Sequence, residues 1–227
     1  MALLQTRWHK IKALFEAWII DHEILRAFYR NFHKLSENAY RSNHPAPRTI
    51  KSLKKNLGIK TIINLRGQNS STFNRNEFSG QYKLEFDACQ KHDIKLYTFR
   101  FSSRDLPQVD EIIAFKELLK KIDYPVLLHC KSGADRAGLA STLYLHFMKN
   151  QPIENIHQLG LKFGHIKWAE TGILDYFFDS FKTFHETHPD IEFIDWVQEH
   201  YDRDLLNKNF RTNALGKFIV NKILRRE

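Results

Sequence analysis

Apolar residues recur every three to four positions from Leu4 to Trp18, and basic residues occupy the turns between them. This spacing is that of an amphipathic helix, which we predict over residues 3–20. Residues 21–35 are expected to continue as helix. We therefore expect residues 1–35 to form an amphipathic helical extension ahead of the main domain.

Short apolar runs then alternate with amphipathic stretches from residue 38 to residue 149. The apolar runs, several of them next to a glycine or a proline, predict strands at residues 38–42, 59–65, 95–101 and 126–129. The stretches between them predict helices at residues 48–56, at residues 73–92, from Pro107 onward, and at residues 136–148. Alternation of this kind indicates an α/β fold with a central sheet flanked by helices.

The second half of the chain is predicted to be helical, with helices at residues 152–163, 166–187 and 191–201. Residues 206–227 carry apolar residues on one helical face with lysines and arginines beside them, so we expect a basic amphipathic tail. Residues 36–205 are then a single domain between two helical ends. Each end either docks on this domain or contacts an acidic membrane surface.

The charge balance favours anionic ligands, because 35 lysines and arginines outnumber 26 aspartates and glutamates and give a net charge of +9. Phosphorylated small molecules, acidic lipid headgroups and phosphoproteins all fit this charge. We do not expect nucleic acid as a partner, since no nucleic-acid-binding motif accompanies the charge.

The two cysteines, Cys89 and Cys130, stand at unrelated positions and do not form a disulfide framework. Free thiols suit a reducing compartment. The first residues have no continuous apolar segment typical of a secretory signal, and no run is long enough to span a bilayer. We therefore expect a cytoplasmic protein, which the basic ends could hold at the inner face of a membrane.

Residues 125–138 read PVLLHCKSGADRAG, an apolar strand followed by a cysteine, five residues, an arginine and a helical stretch. A loop between strand and helix can turn its N–H groups inward, and the helix N-terminus adds partial positive charge, which suits phosphate. Gly133 allows the tight curve of such a loop. The same field stabilises a thiolate, so Cys130 is expected to be nucleophilic, while Arg136 can bind two phosphate oxygens. A merely structural cysteine would not explain these fixed offsets.

HCKSGADRAG resembles the HCxxGxxR signature loop of the protein tyrosine phosphatase superfamily, in its dual-specificity branch. The sequences YRSNHP at residues 40–45 and LGIKTIINLR at residues 57–66 are similar to the opening strands of compact bacterial, fungal and plant members. The resemblance covers roughly residues 38–163. It implies a dual-specificity phosphatase-like fold and hydrolysis of phosphomonoesters on phosphorylated lipids, small molecules or proteins, without a metal or another cofactor.

Carried over position by position, the resemblance implies that Cys130 is the nucleophile and Arg136 the phosphate clamp. His129 matches a histidine that orders the loop and keeps the thiolate ionised, although a packing role is the simple alternative. The predicted phosphate cradle is the backbone of Lys131, Ser132, Gly133, Ala134, Asp135 and Arg136.

The family supplies a proton to the leaving group from an aspartate on an earlier loop. Asp105 is our choice, because it stands 25 residues before Cys130 in a loop just ahead of the Pro107 helix. Asp105 could instead be a carboxylate that only favours a helix N-terminus. Asp110 and Asp135 are the rival candidates for the acid.

Two residues, Ala137 and Lys131, differ from those that are usual at their positions in the family. Ala137 replaces the serine or threonine whose hydroxyl helps the cysteine sulfur to leave, a loss of roughly 1.5 to 3 kcal/mol. We therefore expect slow hydrolysis of the phosphocysteine unless Ser132 or Ser141 compensates. Such a long-lived intermediate would also permit phosphotransfer to another acceptor.

Lys131, directly after the cysteine, is similar to phosphatases that act on phosphoinositides and other phospholipids, and it suits a substrate with several phosphates. The alternatives are that Lys131 only solvates the edge of the loop or pairs with Asp135. The alternative from another functional class is a phosphate-binding module without turnover, against which the intact Cys130 and Arg136 argue.

Overall fold

The computed structural model describes residues 31–68 and 78–212. Five strands form one sheet in the order β1-β2-β5-β3-β4. Strand β1 runs antiparallel to β2, and the other neighbours are parallel. The strands are β1 His33–Ser36, β2 Ala39–Ser42, β3 Thr61–Asn64, β4 Lys95–Thr98 and β5 Val126–His129. The predicted α/β class, with a central sheet, is confirmed.

Helices cover both faces of this sheet in the part of the chain that the structure describes. They are α1 Pro47–Leu57, α2 Gly80–Lys91, α3 Val109–Lys121, α4 Asp135–Lys149, α5 Ile173–His185 and α6 Phe193–Glu199. Single 3₁₀ turns lie at Ile153–Asn155, Leu161–Phe163 and Glu170–Gly172, and residues 203–212 are helical.

Alternate residues of the central strands point to the two faces and form two separate apolar cores. Ile63 of β3 and Leu128 of β5 belong to the larger core, which also contains buried residues of α3, α4, α5 and α6. Ile62 and Leu127 point the other way and pack with buried residues of α1 and α2. The sheet is therefore covered on both faces, as a parallel sheet requires.

The helix predicted over residues 21–35 is wrong at its end, because His33–Ser36 is strand β1. A two-residue turn at Glu37 and Asn38 folds this segment back on β2. Pairing with β2 supplies the backbone hydrogen bonds of this segment. Local periodicity could not predict that pairing, because it depends on a neighbouring strand. The helix predicted at residues 3–20, the first part of the 73–92 helix and most of the basic tail lie outside the described residues.

The helix predicted at residues 152–163 is also wrong. This stretch holds two short 3₁₀ turns, at Ile153–Asn155 and Leu161–Phe163. Ile156 and Gly160 have extended backbone conformations, which end any longer helix. Gln158 and Leu159, between the two turns, lie against Gly138 of α4. The predicted helices at 166–187 and 191–201 are present but shorter.

Within the described residues, no helix is both long enough and apolar enough to cross a membrane.

Candidate active site

The residues of interest collect at one edge of the sheet, where the parallel strands end. His129, the last residue of β5, pairs in register with Ser42 at the end of β2 and Asn64 at the end of β3. The segments that follow these strands therefore emerge side by side. In parallel sheets the crevice outside the carboxyl ends of the strands is the usual place for a ligand.

The loop from Cys130 to α4 is tightly curved. Its cysteine is buried, and the Gly133 amide donates a hydrogen bond to the Cys130 Sγ at 3.2 Å. Gly133 has a φ of +77°, and a Cβ there would lie 2.6 Å from the Asn43 nitrogen. Glycine is therefore required at this position both for its backbone conformation and because β2 ends so close by.

Arg41 of β2 holds this loop from behind and is itself fully buried. Its Nη2 donates to the carbonyls of Gly133 at 2.7 Å and Ala134 at 3.0 Å. Its Nη1 donates to the Gln158 carbonyl at 2.6 Å, and its Cζ lies 4.1 Å from the centre of the Phe163 ring. Because a trans peptide directs its N–H opposite to its carbonyl, these bonds turn the following amides to the other side of the loop.

Asn31 adds a second support to the same loop. Its Nδ2 donates to the Ser132 carbonyl at 2.9 Å and to the Phe163 carbonyl at 2.8 Å. Neither Asn31 nor Arg41 was predicted as a functional residue. For Arg41 the signal in the sequence was an arginine within a predicted strand. A guanidinium that is buried there needs several acceptors, which indicates a supporting role.

His129 is paired with a buried carboxylate of α2. Its Nε2 lies 2.6 Å from the Glu85 Oε1, and both side chains are fully buried. The Asn64 Nδ2 donates to the other Glu85 oxygen at 2.7 Å. Burial alone would raise the pKa of Glu85, but the charges of His129 and His44 and the bonds from His129 and Asn64 lower it. A negative Glu85 thus holds the histidine that precedes Cys130.

Asp135, in the first turn of α4, does not project freely into solution. The His165 Nδ1 donates to its Oδ1 at 2.7 Å, and the His165 Nε2 donates to the Asp175 Oδ2 at 2.6 Å. Burial would lower the pKa of His165, but its bonds to the two carboxylates outweigh burial and raise this pKa to about 9. The ring is therefore cationic at neutral pH and joins the loop to α5.

A cavity of about 1090 Å³ opens beside the loop. Among the described residues its lining includes a single carboxylate, that of Glu111, whose Oε2 accepts from the Gln108 amide at 2.9 Å. The basic residues of the lining are His44, Arg66, Arg100, Lys131 and Arg136. An excess of basic side chains in a cavity of this size suits a ligand with several negative charges.

Of the three aspartates considered as the proton donor, none contributes to the cavity lining. The carboxylate of Asp105 contacts the Arg203 Nη2, and its other oxygen accepts from the Leu106 amide at 3.0 Å. Asp110 is exposed in the first turn of α3. Asp135 is bonded to His165. Glu111, the carboxylate in the lining, was not predicted.

Ala137 is fully buried in the first turns of α4. The two serines considered as substitutes for a hydroxyl there have different surroundings. Ser132 is exposed, and its Oγ accepts from the Ala134 amide at 3.4 Å, whereas Ser141 is buried in α4. Lys131 is exposed and lines the cavity, which fits the expected part in binding anions.

Comparison with known proteins gives one family and several relatives. The model of the tyrosine phosphatase family matches residues 28–156, more than half of the 227 residues. The inositol diphosphatase DSP3 of Arabidopsis thaliana is 29% identical over 113 residues, which are 48% of this chain and 50% of the relative. The chain thus spans about half the length of this curated relative.

Among solved structures, a DUF442 protein from Shewanella putrefaciens CN-32 is similar with a TM-score of 0.50 and 18% identity. The similarity covers 70% of this chain and 97% of that protein. P. aeruginosa TpbA has a TM-score of 0.48 and 16% identity, over 66% of this chain and 84% of its own. At these identities the first likeness concerns the fold alone.

Proposed function

This chain belongs to the tyrosine phosphatase family, and from that premise we propose that it is a phosphatase that hydrolyses phosphomonoesters through a phosphocysteine on Cys130. One observation carries the proposal. The loop from Cys130 to Arg136 is held by its carbonyls from behind and borders a cavity lined by basic residues. We take residues 36–205, together with the added strand β1, as the catalytic domain.

In the first step, the Cys130 thiolate attacks phosphorus while the bond from phosphorus to the leaving oxygen breaks and its electron pair stays on that oxygen. Arg136 binds two of the remaining phosphate oxygens, and the backbone from Lys131 to Arg136 supplies further donors. The hydrogen bond from the Gly133 amide to Sγ stabilises the thiolate before the attack.

In the second step, water attacks phosphorus, the bond from sulfur to phosphorus breaks, and the thiolate returns as phosphate leaves. Ala137 provides no hydroxyl for the departing sulfur, so this step is expected to limit the rate. His129 keeps the loop in position through its pairing with Glu85.

We keep Asp105 as the proposed general acid, with one condition. In the structure its carboxylate contacts Arg203 and does not line the cavity. Asp105 would therefore act only after it separates from Arg203. Substrates whose leaving group is weakly basic, such as aryl phosphates and phosphoanhydrides, need no such proton and should react with the pairing intact.

The proposed substrate is a small molecule with several phosphates. The support is the cavity of about 1090 Å³ with its five basic residues, and the relative from Arabidopsis that is named an inositol diphosphatase. Phospholipid headgroups carry the same chemistry, and phosphoproteins, with dual specificity for their phosphorylated residues, are the alternative. We place the enzyme in the cytoplasm, with attachment to an anionic membrane surface as part of the proposal.

The test is a comparison of kcat/KM for a diphosphoinositol phosphate, a phosphoinositide in vesicles, a phosphotyrosyl peptide and p-nitrophenyl phosphate. We expect the diphosphoinositol phosphate to be the best substrate. Arg100→Ala should lower kcat/KM for the diphosphoinositol phosphate about tenfold, because we expect Arg100 to bind a phosphate other than the reacting one. It should change kcat/KM for p-nitrophenyl phosphate, which has a single phosphate, less than threefold.

Arg104→Ala is the matched control, because Arg104 is exposed, pairs with Glu170 and does not line the cavity. It should leave both values within twofold. Preference for the phosphotyrosyl peptide, with equal effects of Arg100→Ala on all substrates, would contradict the assignment of the substrate. Activity retained in Cys130→Ser would contradict the mechanism itself.

Ala137 also favours a second function, transfer of the phosphoryl group to an alcohol, because a slowly hydrolysed phosphocysteine can meet another acceptor. Turnover of p-nitrophenyl phosphate in the presence of glycerol or inositol tests this. If transfer occurs, new phosphoesters form and nitrophenol release exceeds phosphate release. Equal release of both products at every alcohol concentration rules transfer out.

A further inference from the structure

We propose that His165 is a positioning residue for the phosphate-binding loop, which offsets the negative charge of Asp135 and fixes the start of α4 against α5. The inference rests on the proposed function of the same loop. It concerns a residue that lies nine positions beyond the stretch, residues 28–156, that the family model matches. It also explains how a phosphate dianion can bind next to the carboxylate of Asp135, which directly precedes Arg136.

The geometry is that of a bridge between two elements. His165 is buried, with 1% of its surface exposed, and each ring nitrogen has one carboxylate partner, on α4 and on α5. Asp135 precedes Arg136 directly, so a bond that fixes Asp135 also fixes the backbone from which the Arg136 side chain extends. A neutral ring has a single N–H and could donate to only one of the two carboxylates.

The charges around the bridge are mainly those of its two carboxylates. The raised pKa of His165, about 9, is consistent with a cationic ring at neutral pH. Lys167, whose Nζ bonds to Asp179 at 2.8 Å, also interacts with Asp175. With a cationic ring the group of Asp135, His165 and Asp175 carries one net negative charge. With a neutral ring it would carry two, beside the position proposed for a dianion.

The segment that carries His165 is packed against the loop at further points. Gln158 and Phe163 both contact Arg41, and the Phe163 carbonyl accepts from Asn31. A Cβ at Gly138 of α4 would lie 2.8 Å from the Gln158 carbonyl, so the segment and the helix are in close contact. The stretch predicted as a helix at residues 152–163 is therefore an irregular segment that packs on the loop, and His165 follows it directly.

Orthovanadate binding tests the inference, with His165→Gln as the variant, because glutamine can form hydrogen bonds but cannot become cationic. At pH 7 we expect the dissociation constant for orthovanadate to rise about tenfold in His165→Gln, since Asp135 is no longer offset. The value of kcat should change less than KM. The ratio between variant and parent should fall toward one as the pH rises from 7 to 10, because the parent also loses the charge.

The double variant His165→Gln/Asp135→Asn separates charge from packing. If His165 acts by offsetting Asp135, removal of that carboxylate restores most of the lost orthovanadate affinity. A purely structural role predicts a double variant no better than the single one, and this result would overturn the inference. His185→Gln is the matched control, because His185 bonds to Glu154 away from the loop, and it should stay within twofold of the parent.

If His165→Gln does not fold, orthovanadate binding by Asp135→Asn alone still tests the inference. At pH 10, where His165 of the parent has lost its charge, Asp135→Asn should bind orthovanadate more tightly than the parent does, and equal affinity would overturn the inference. A parent protein that binds no orthovanadate at any pH would overturn the proposed function, and this inference with it. Tight binding by the parent with an unchanged His165→Gln would overturn the inference alone.

Discussion

The proposed phosphate-binding loop and the loop that carries Asp105 are both fixed to the core, the first by backbone groups and the second partly by a side chain. The first is held by its backbone carbonyls, which Arg41 binds from behind, and its Lys131 and Arg136 line the cavity. The second is held partly by Asp105 itself, through Arg203, which also donates from Nε to the Leu106 carbonyl at 3.1 Å. The binding half of the site is thus assembled, while the proposed proton donor is occupied.

The two cysteines also differ in their surroundings. Both are buried, with 1% and 2% of their surfaces exposed. Burial and the nearby Glu85 raise the pKa of Cys89, which lies inside α2. Cys130 instead follows a strand and receives a hydrogen bond from a loop amide. Burial by itself therefore does not distinguish Cys89 from the proposed nucleophile, whereas the loop amide that donates to the Cys130 sulfur does.

The largest effect within the assembled half is expected from Arg136→Lys. A lysine keeps the charge but cannot bind two phosphate oxygens in one plane, so kcat/KM for p-nitrophenyl phosphate should fall about 10²- to 10³-fold. Steady-state kinetics measures this, with Lys162→Arg as an exposed basic control. A loss below threefold would mean that Arg136 is not the phosphate clamp.

Arg41→Met should come next, because it leaves the carbonyls behind the loop without their donor. We expect a loss of about 2 to 4 kcal/mol in the free energy of unfolding, measured by urea titration, from several buried acceptors left unsatisfied. Activity per folded molecule should also fall at least tenfold. Parent-like activity in the folded variant would show that the loop keeps its shape without Arg41.

The pairing of Asp105 with Arg203 predicts a dependence on the leaving group. Asp105→Asn should change kcat/KM less than threefold for p-nitrophenyl phosphate, whose leaving group needs no proton, and more for phenyl phosphate. Arg203→Gln should release Asp105 and raise the rate with phenyl phosphate several-fold. If Asp105→Asn affects both esters equally, or Arg203→Gln lowers both rates, the carboxylate is a structural partner of Arg203 and not the acid.

The smallest expected effect is a pH dependence of stability. The pKa of His165 is raised from 6.5 to about 9 in the folded protein, so its bonds stabilise the fold fully below pH 6.5. That contribution is lost as the pH rises through 9. His165→Gln should therefore be less stable than the parent at pH 6 in urea titrations, and the difference should shrink by pH 10. A difference that does not change with pH would mean that the ring is not charged in the fold.

The local pattern of the sequence was sufficient for the parts of the site that lie in one continuous segment. A strand, a cysteine, a glycine at a positive φ and an arginine on a helix all stand within residues 125–138, and the structure has them in that order. The period of apolar residues also predicted strands β2 to β5, because their faces are covered by helices and leave a clear signal.

The supporting residues could not be found in the same way, since each depends on a contact between distant segments. Glu85 reaches His129 only because α2 packs on the sheet, and Arg41 reaches Gln158 across 117 positions of the chain. His165 lies between the helices predicted at residues 152–163 and 166–187, where no pattern in the sequence indicated a contact with Asp135. Topology and register decide these contacts, and neither can be read from local spacing.

The most direct test of the central claim is mass spectrometry of the protein quenched in acid during turnover of p-nitrophenyl phosphate. We predict a phosphate adduct that accumulates on the peptide containing Cys130, because Ala137 slows its hydrolysis, and no adduct in Cys130→Ser. Turnover without any adduct, together with full activity of Cys130→Ser, would contradict the account.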